Sequence, residues 1–443
     1  MIAVVGMARS GLAVARLLRD RGFEVWASDS DPVPRLRDEF GRLGIPYETG
    51  GHSPDRLLRA REIVVSPGVP PEIGPLLAAR EAGVPIVSEL EVAFRWLEGD
   101  VVAITGSNGK TTTTSLVAHI LSSGARPVEA GGNIGRPVSD MVEQSTPETI
   151  NVLEVSSFQL EGVRTFRPDV AVLLNITPDH LDRYAGFDAY RMAKFRVFGN
   201  QEPDDVAILN RDDVQSFPPP VGIRASERLF SRHPMGSGAG ILDGVLTIDG
   251  SQIMPAAEVP LRGGHNLKNV LAALLVADSY RIPPSAMRAA TASFRAVEHR
   301  LETVATIEGV EYVNDSKATN VDAAIKAIEA FGGDLILIAG GKDKGAPFQP
   351  LVAAMSGRVR QLITIGAAAE KIEQAVAAAA SGGVPVRRAR DMAEAVAIAG
   401  RLARPGDTVL LAPACASFDM YANYEERGAD FRNAVLGRAR VRT

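Results

Sequence analysis

The chain has 443 residues, 46% of them apolar and 23% charged, with a formal net charge of −5 at pH 7. The acidic balance argues against a broad nucleic-acid surface, although local lysines and arginines can still hold anionic small molecules. The single cysteine, Cys415, excludes an intrachain disulfide and suits a reducing compartment; its residue type is that of a small buried thiol. No uncharged run approaches the ~20 residues that a membrane-crossing helix needs. Arg9, Arg16, Arg19 and Asp20 interrupt the apolar N-terminus, so it does not read as a signal peptide. A cytoplasmic enzyme of roughly two to four domains is expected.

Short β-branched runs alternate with helical stretches along the whole chain, which is the pattern of parallel sheets flanked by helices. The first α/β unit opens with the strand Ile2-Ala3-Val4-Val5, a turn Gly6-Met7-Ala8-Arg9-Ser10-Gly11, and a helix to about Gly22. A second strand, Glu24 to Ala27, leads to Asp29 and Ser30. The glycine spacing is not that of a dinucleotide fingerprint, so a NAD site is disfavoured. The helix N-terminus can still take the diphosphate of another nucleotide, or the turn can be structural only. Ile63-Val64-Val65 runs into Ser66-Pro67-Gly68, a rigid turn at a strand's C-terminal end, where open α/β sheets bind ligands. This unit closes near Val92.

The second unit begins with Val101-Val102-Ala103-Ile104-Thr105-Gly106-Ser107-Asn108-Gly109-Lys110-Thr111-Thr112. A strand, a glycine turn and a helix opening on lysine and hydroxyls build a nest of backbone N–H groups for a polyphosphate. Lys110 would reach the terminal phosphates and Thr111 a bound Mg²⁺. Ile104 stands where the general phosphate-loop pattern has its first glycine, so this is a short variant. The reading is of a protein that uses ATP.

Further strands are expected at Asn151–Val155, Val170–Ile176 and Val206–Leu209. Glu154 ends the first of these, where a carboxylate beside a phosphate loop can hold Mg²⁺ or simply face solvent. Asp179, His180 and Asp182 cluster after the second, and His180 can ligate a metal, relay a proton or do neither. Lys194, in Tyr190-Arg191-Met192-Ala193-Lys194-Phe195, reads from physics alone as a solvated helix lysine. The third unit starts after Phe294. Thr303–Ile307 and Val310–Val313 flank Glu308-Gly309 as a β-hairpin, followed by strands at Leu335–Ala339, Leu362–Ile365 and Val409–Ala412.

Five segments, taken in order, resemble the Mur ligase family: Thr105–Thr112; Gly131-Gly132-Asn133-Ile134-Gly135; Glu154-Val155-Ser156-Ser157-Phe158-Gln159-Leu160; Asn175–Tyr184; and Asn314-Asp315-Ser316-Lys317-Ala318-Thr319-Asn320. The tail, Ala412-Pro413-Ala414-Cys415-Ala416-Ser417-Phe418-Asp419 through Tyr424-Glu425-Glu426-Arg427-Gly428, resembles the branch that adds D-glutamate to the peptide stem of peptidoglycan. The resemblance covers essentially the whole chain and implies an α/β protein of three domains. These are a Rossmann-like domain for a UDP-sugar (1–92), a central P-loop ATPase domain with a mostly parallel sheet (93–295), and a Rossmann-like amino-acid domain (296–443).

It further implies ATP contacts at Gly106, Ser107, Asn108, Gly109, Lys110, Thr111, Thr112, Asn266, Asn269, Arg300, Asp315 and Lys317. Lys110, Glu154, His180 and Lys194 are implied as the catalytic set. Thr111 and Glu154 are implied for one Mg²⁺, and His180 with a carbamylated Lys194 for a second. Substrate contacts are implied at Met7, Ala8, Arg9, Ser10, Gly11, Asp29, Ser30, Ser66, Pro67, Gly68, Asn133, Ser157 and Gln159, and at Thr319, Lys344, Ser417, Phe418 and Tyr424. The family often has Phe at the position of Tyr424, and a backbone contact there survives that change. The implied substrates are UDP-N-acetylmuramoyl-L-alanine, D-glutamate and ATP, used by a monomer with no nucleic-acid or membrane partner. A ligase for another amino acid, a folylpolyglutamate synthetase, or a nucleotide-gated binding protein without turnover remain as alternatives at this point. A dehydrogenase fails on the glycine spacing.

Overall fold

The computed structural model describes residues 1–133, 135–181, 183–295, 298–379 and 384–441. Ile134 and Asp182, from the motifs above, lie outside the described residues, as do Ala296 and Thr443, the ends of the expected third domain. Two compact units divide the chain: 1–176 with 188–256 and 268–291, and 177–187 with 257–267 and 292–443.

The first unit holds two sheets. Strands β1 (Ile2–Val5), β2 (Val25–Asp29), β3 (Tyr47–Thr49), β4 (Glu62–Val65) and β5 (Ile86–Ser88) form a parallel sheet in the order β3-β2-β1-β4-β5. Every residue of β1 is buried, as an apolar run covered on both faces must be. The helix Arg9–Asp20 packs its buried stripe, including Val14, Leu17 and Leu18, on the sheet, and no side chain caps its N-terminus at Ala8. Strand order reverses between β1 and β4, so the connections that leave their C-terminal ends run in opposite directions and leave a crevice.

The second sheet comprises β6 (Asp100–Thr105), β7 (Val128–Gly132), β8 (Ile150–Glu154), β9 (Val170–Leu173), β10 (Val206–Asn210), β11 (Ser226–Phe230), β12 (Ala239–Leu242), β13 (Val245–Ile248) and β14 (Ser251–Pro255). Their order is β14-β13-β12-β11-β10-β9-β6-β8-β7, parallel from β7 to β12 and antiparallel from β12 to β14. The sequence marks no strand at β7 or at β11 to β14. It also runs β9 on to Ile176, whereas the ladder stops at Leu173 and Asn175 turns toward the phosphate loop.

A buried polar junction joins the first sheet to the second. The helix Glu89–Phe94 carries two buried carboxylates. Glu91 accepts hydrogen bonds from the backbone N–H groups of Arg164, Thr165 and Phe166 and from the Thr165 hydroxyl. Glu89 accepts one from the Ser139 N–H at 2.6 Å. The Ser88 N–H donates to the Gly162 carbonyl, and a Cβ on Gly162 would stand 2.3 Å from that nitrogen. Phe94 meets Phe166 edge-on at 5.2 Å.

The second unit's sheet has β15 (Glu302–Ile307), β16 (Val310–Asn314), β17 (Leu335–Gly340), β18 (Val359–Ile365), β19 (Val386–Arg388) and β20 (Thr408–Leu411), in the order β15-β16-β20-β17-β18-β19. The expected hairpin is present: β15 and β16 are antiparallel and turn through Glu308 and Gly309, both at positive φ. The other pairs are parallel. Apolar clusters cover both faces of this sheet. The three α/β units read from the sequence thus correspond to three mostly parallel sheets. Among the described residues, no helix is long and apolar enough to cross a membrane.

Burial raises the Glu89 carboxyl from 4.5 to about 7, only partly offset by the hydrogen bonds from Ser139. A folded-state value above the unfolded one stabilises the fold at low pH, and this contribution is lost as pH rises through about 7. Glu89→Gln keeps an acceptor for Ser139 and does not ionise. It should match the wild type in stability near pH 4.5 and exceed it by about 3 kcal/mol at pH 8, which denaturant titration at the two pH values checks.

Candidate active site

In the first unit, β6 delivers the chain to the loop Gly106–Gly109, and the helix Lys110–Leu121 begins directly after it. Gly109 caps that helix in the left-handed region at φ 87°, and a Cβ there would stand 2.5 Å from Asn269 Oδ1. Only glycine fits both demands. Asn175 braces the loop from both sides. Its Oδ1 accepts from the Asn108 N–H and its Nδ2 donates to the Asn108 carbonyl, each at 2.9 Å. Its own carbonyl accepts from the Ser107 N–H.

Two lysines share one carbonyl of this loop. Lys110 Nζ donates to Gly106 O at 2.7 Å and to Ser107 O at 2.9 Å, and Lys194 Nζ donates to Gly106 O at 2.9 Å. Lys194 is only 1% exposed, so the solvated helix lysine suggested by its local sequence is incorrect. The helix Phe187–Phe195 turns Tyr190, Lys194 and Phe195 inward, and Lys194 Nζ lies 4.7 Å from the centre of the Tyr190 ring. The Tyr190 hydroxyl in turn lies 2.9 Å from Ser107 Oγ.

Beside the loop, the Thr111 hydroxyl donates to Glu154 Oε2 at 2.7 Å, and Asn133 Nδ2 donates to Glu154 Oε1 at 2.9 Å. Glu154 and Thr112 are both buried, so Glu154 is not a solvent-facing strand end. Ser157 begins the helix Ser157–Glu161. Gln159 Oε1 accepts from the Ser156 N–H, and Ser156 Oγ accepts from the Gln159 N–H, so this amide serves the helix cap.

At the C-terminal edge of the first sheet lies a cavity of ≈ 520 Å³, lined by Ala8, Arg9, Ser10, Asp29, Ser30, Ser66, Pro67, Gly68 and Asn133 among others. Nine of the residues implied for substrate are therefore gathered in one place. Met7 is buried and Gly11 packs beneath the turn, where a Cβ would stand 1.9 Å from the Gly6 carbonyl oxygen. Asp29 Oδ2 accepts from the Met7 N–H at 2.6 Å and its Oδ1 from the Asp31 N–H at 2.9 Å, so this carboxylate closes the turn.

The second unit carries its own set. Asp315 is buried, which raises its carboxyl to about 6 against the pull of Arg300. Among the described residues, the buried Arg300 Nε has no hydrogen-bond partner. Lys317 Nζ donates to the Tyr424 hydroxyl at 2.8 Å, and Ser316 Oγ donates to the Tyr424 carbonyl at 2.8 Å. The implied backbone contact at Tyr424 is thus engaged by Ser316. Asp179 joins three segments: it accepts from Asn320 Nδ2 at 2.9 Å, from Lys344 Nζ at 3.3 Å and from the His180 N–H at 3.0 Å. Thr319 adjoins Asn320, which caps the helix Val321–Glu329. Asn266 donates to the Arg262 carbonyl at 2.7 Å. Ser417 is buried, whereas Phe418 is 67% exposed.

Arg427 is buried and donates to the carbonyls of Ser316, Cys415 and Ala416 and to Ser316 Oγ, and burial lowers its guanidinium to about 10. Cys415 is buried as expected, and burial pushes its thiol up to about 12.

Asn175, Tyr190, Asn320 and Arg427 carry no expected role in the sequence although all lie in the quoted segments, and neither does His52. An amide at a strand's exit and a helix-face tyrosine one turn before Lys194 were the available signals. The His52 signal is weaker, a histidine in a Gly-Gly-His-Ser loop.

Comparison with known proteins accords with this geometry. The Mur ligase MurD-like N-terminal domain matches residues 1–88, the Mur ligase middle domain 104–221, and the Mur ligase glutamate ligase domain 299–415. The UDP-N-acetylmuramoylalanine–D-glutamate ligase of Acidobacterium capsulatum is 48% identical over 447 aligned residues, covering 98% of this chain and 96% of that protein. The chain belongs to the Mur ligase family. The protein of the same name from Koribacter versatilis is 46% identical, with 98% and 96% coverage. Among solved structures, the Mur ligases of Thermotoga maritima share the fold. UDP-N-acetylmuramate-alanine ligase MurC has a TM-score of 0.62 at 19% identity, covering 100% of this chain and 99% of that one. MurF ligase in complex with ADP has a TM-score of 0.62 at 17% identity, with 96% and 99% coverage. The Mur ligases use ATP and small-molecule substrates.

Asn175→Ala removes both braces on Asn108. ATP affinity should fall about tenfold or more, the equivalent of one to two hydrogen bonds, and calorimetric titration with ATP measures it.

Proposed function

We propose that this Mur ligase is the ATP-dependent enzyme that adds D-glutamate to UDP-N-acetylmuramoyl-L-alanine in peptidoglycan precursor synthesis. The observation that carries this reading is the near full-length identity with D-glutamate ligases, which runs through all three sheets. The product feeds cell-wall biogenesis, and with it cell shape and division. The enzyme works in the cytoplasm as a monomer on small molecules alone. Residues 1–92 serve the UDP-sugar, 93–295 ATP, and 296–443 the amino acid.

A carboxylate does not couple to an amine unaided. The γ-phosphoryl group of ATP passes to the alanyl carboxylate, and the D-glutamate amine attacks the resulting acyl phosphate. The tetrahedral intermediate then expels phosphate, with ADP as co-product. Three anionic reactants must be held together, so charge compensation dominates the catalytic task. The Gly106–Gly109 backbone and the first turn of the helix Lys110–Leu121, including Thr112, hold the phosphates. Lys110 turns from its loop carbonyls to the β- and γ-phosphates. The helix N-terminus at Ala8–Ser10 takes the UDP diphosphate, and Ser66-Pro67-Gly68, Ser30 and Asn133 shape the rest of that cavity. Ser157 and Gln159 border the acceptor, with Gln159 acting through its cap. Asn266, Asn269, Arg300, Asp315 and Lys317 serve the nucleotide, and Thr319, Lys344, Ser417, Phe418 and Tyr424 serve D-glutamate.

The buried Thr111 hydroxyl and Glu154 carboxylate, 2.7 Å apart beside the loop, are the hard oxygen donors that Mg²⁺ favours. The ion supplies neutralisation of phosphate charge when bound. His180 and Lys194 are the residues that would hold a second Mg²⁺, as the family resemblance implies. A carbamate on Lys194 turns its amine into an anionic oxygen donor. The carbamate nitrogen keeps one N–H, so its donation to the Gly106 carbonyl survives the modification.

Phosphate release should occur with D-glutamate and not with other amino acids when ATP and UDP-N-acetylmuramoyl-L-alanine are supplied. Release with a different amino acid alone would overturn the assignment. Lys110→Ala should lower turnover by at least ~10²-fold, as loss of one oxyanion donor does; steady-state kinetics reads this directly. Lys194→Ala should abolish activity, with partial recovery on adding short carboxylates. Absence of any recovery counts against the carbamate.

A further inference from the structure

The cavity of ≈ 520 Å³ has a side chain that the proposed function leaves without a role: His52, which follows β3 and lines the wall. Its Nδ1 lies 2.9 Å from the buried Ser28 Oγ. Its Nε2 makes no hydrogen bond to any described residue. Other polar groups of the cavity wall are already engaged. Both oxygens of Asp29 accept backbone N–H groups, and Ser66 Oγ donates to the Gly6 carbonyl at 2.9 Å. Burial holds the imidazole below its usual value, against the opposing pull of Asp29 and Glu48, so the ring is neutral at pH 7. A neutral ring fixed through one nitrogen presents the other as a single directed donor or acceptor.

The sheet order locates that nitrogen relative to a nucleotide. Across the C-terminal edge come β3 with His52, β2 with Asp29 and Ser30, β1 with the helix N-terminus, and β4 with Ser66. A diphosphate at the helix N-terminus lies at β1. Two strand spacings, ~10 Å, separate β1 from β3, about the reach of a ribose and its base. In nucleotide-binding folds of this order, an acid at the end of the second strand commonly reads the ribose. Here that acid also accepts two backbone N–H groups, and the next strand adds His52 to the wall.

We infer that His52 is a specificity-determining residue of the nucleotide-sugar site, its Nε2 hydrogen-bonding the uridine half of the substrate. This rests on the proposed UDP-sugar reading of the cavity, and the experiment separates the two. Calorimetric titration of the full chain uses UDP as the probe and ADP as the control, for the wild type, His52→Ala and His52→Asn. The asparagine keeps a polar group beside Ser28 and has none at the Nε2 position. Both variants should bind UDP about tenfold more weakly, the loss of one hydrogen bond, with ADP affinity and thermal midpoint unchanged. UDP binding unchanged in both variants would overturn the inference. So would a wild-type-like His52→Asn, which would reduce His52 to a support for Ser28, or a joint loss of UDP and ADP affinity. A wild type that fails to bind UDP sinks the reading of the cavity itself.

Discussion

The amide of Asn175 grips the phosphate loop by both polar groups of one residue, the Asn108 N–H and carbonyl. The active-site geometry in this unit depends on that brace. A loop of four residues between a strand and a helix has many accessible conformations, and only some aim its N–H groups at one point. Asn175 and the left-handed Gly109 select one of them. The carbonyl edge is then occupied by the ammonium groups of Lys110 and Lys194 at Gly106. Two lysine head groups therefore converge on one carbonyl of the loop. The shortening of the strand at Leu173 is part of the same arrangement, because Asn175 reaches the loop only after leaving the ladder.

The cavity of the first sheet and the loop Gly106–Gly109 belong to different sheets, and a buried polar junction sets their spacing within the first unit. Glu91 replaces water for three consecutive backbone N–H groups, and Glu89 does so for Ser139. Directional bonds of this kind specify one arrangement, whereas an apolar contact tolerates sliding. Asn133 benefits directly. It stands on the cavity wall while bonding Glu154 beside the loop, so one residue links the cavity to the loop.

Much of the architecture was legible in the sequence, for identifiable reasons. Fully buried parallel strands such as Ile2–Val5 and Leu335–Gly340 are continuous apolar runs and stand out. The strands at the edge of the second sheet do not. Ser226–Phe230 is half exposed and mixed in composition, so neither periodicity nor apolarity marks it. The Asp243-Gly244 and Asp249-Gly250 turns did carry the signal for the β12–β14 meander, with positive φ at all four residues. Glycine positions and chain order revealed the phosphate loop and the Ser66-Pro67-Gly68 turn. Lys194 could not be read from its own helix, because its burial depends on Gly106 and Tyr190, one of them 88 residues away. Likewise, nothing local tells that Asp29 closes a turn, that Gln159 caps a helix, or that Asp179 draws Asn320 and Lys344 together. Such assignments depend on which segments meet in space.

The setting of Cys415 has a practical consequence. The only sulfhydryl of the chain sits behind Arg427 with 1% of its surface exposed, and burial keeps it protonated far above neutral pH. A thiol that cannot become a thiolate is a poor nucleophile, so alkylating agents and mild oxidants should leave the native protein untouched. The wild type therefore already provides an unreactive background for maleimide chemistry. A cysteine introduced on the surface would accept a fluorophore or spin label selectively, without first deleting the natural one.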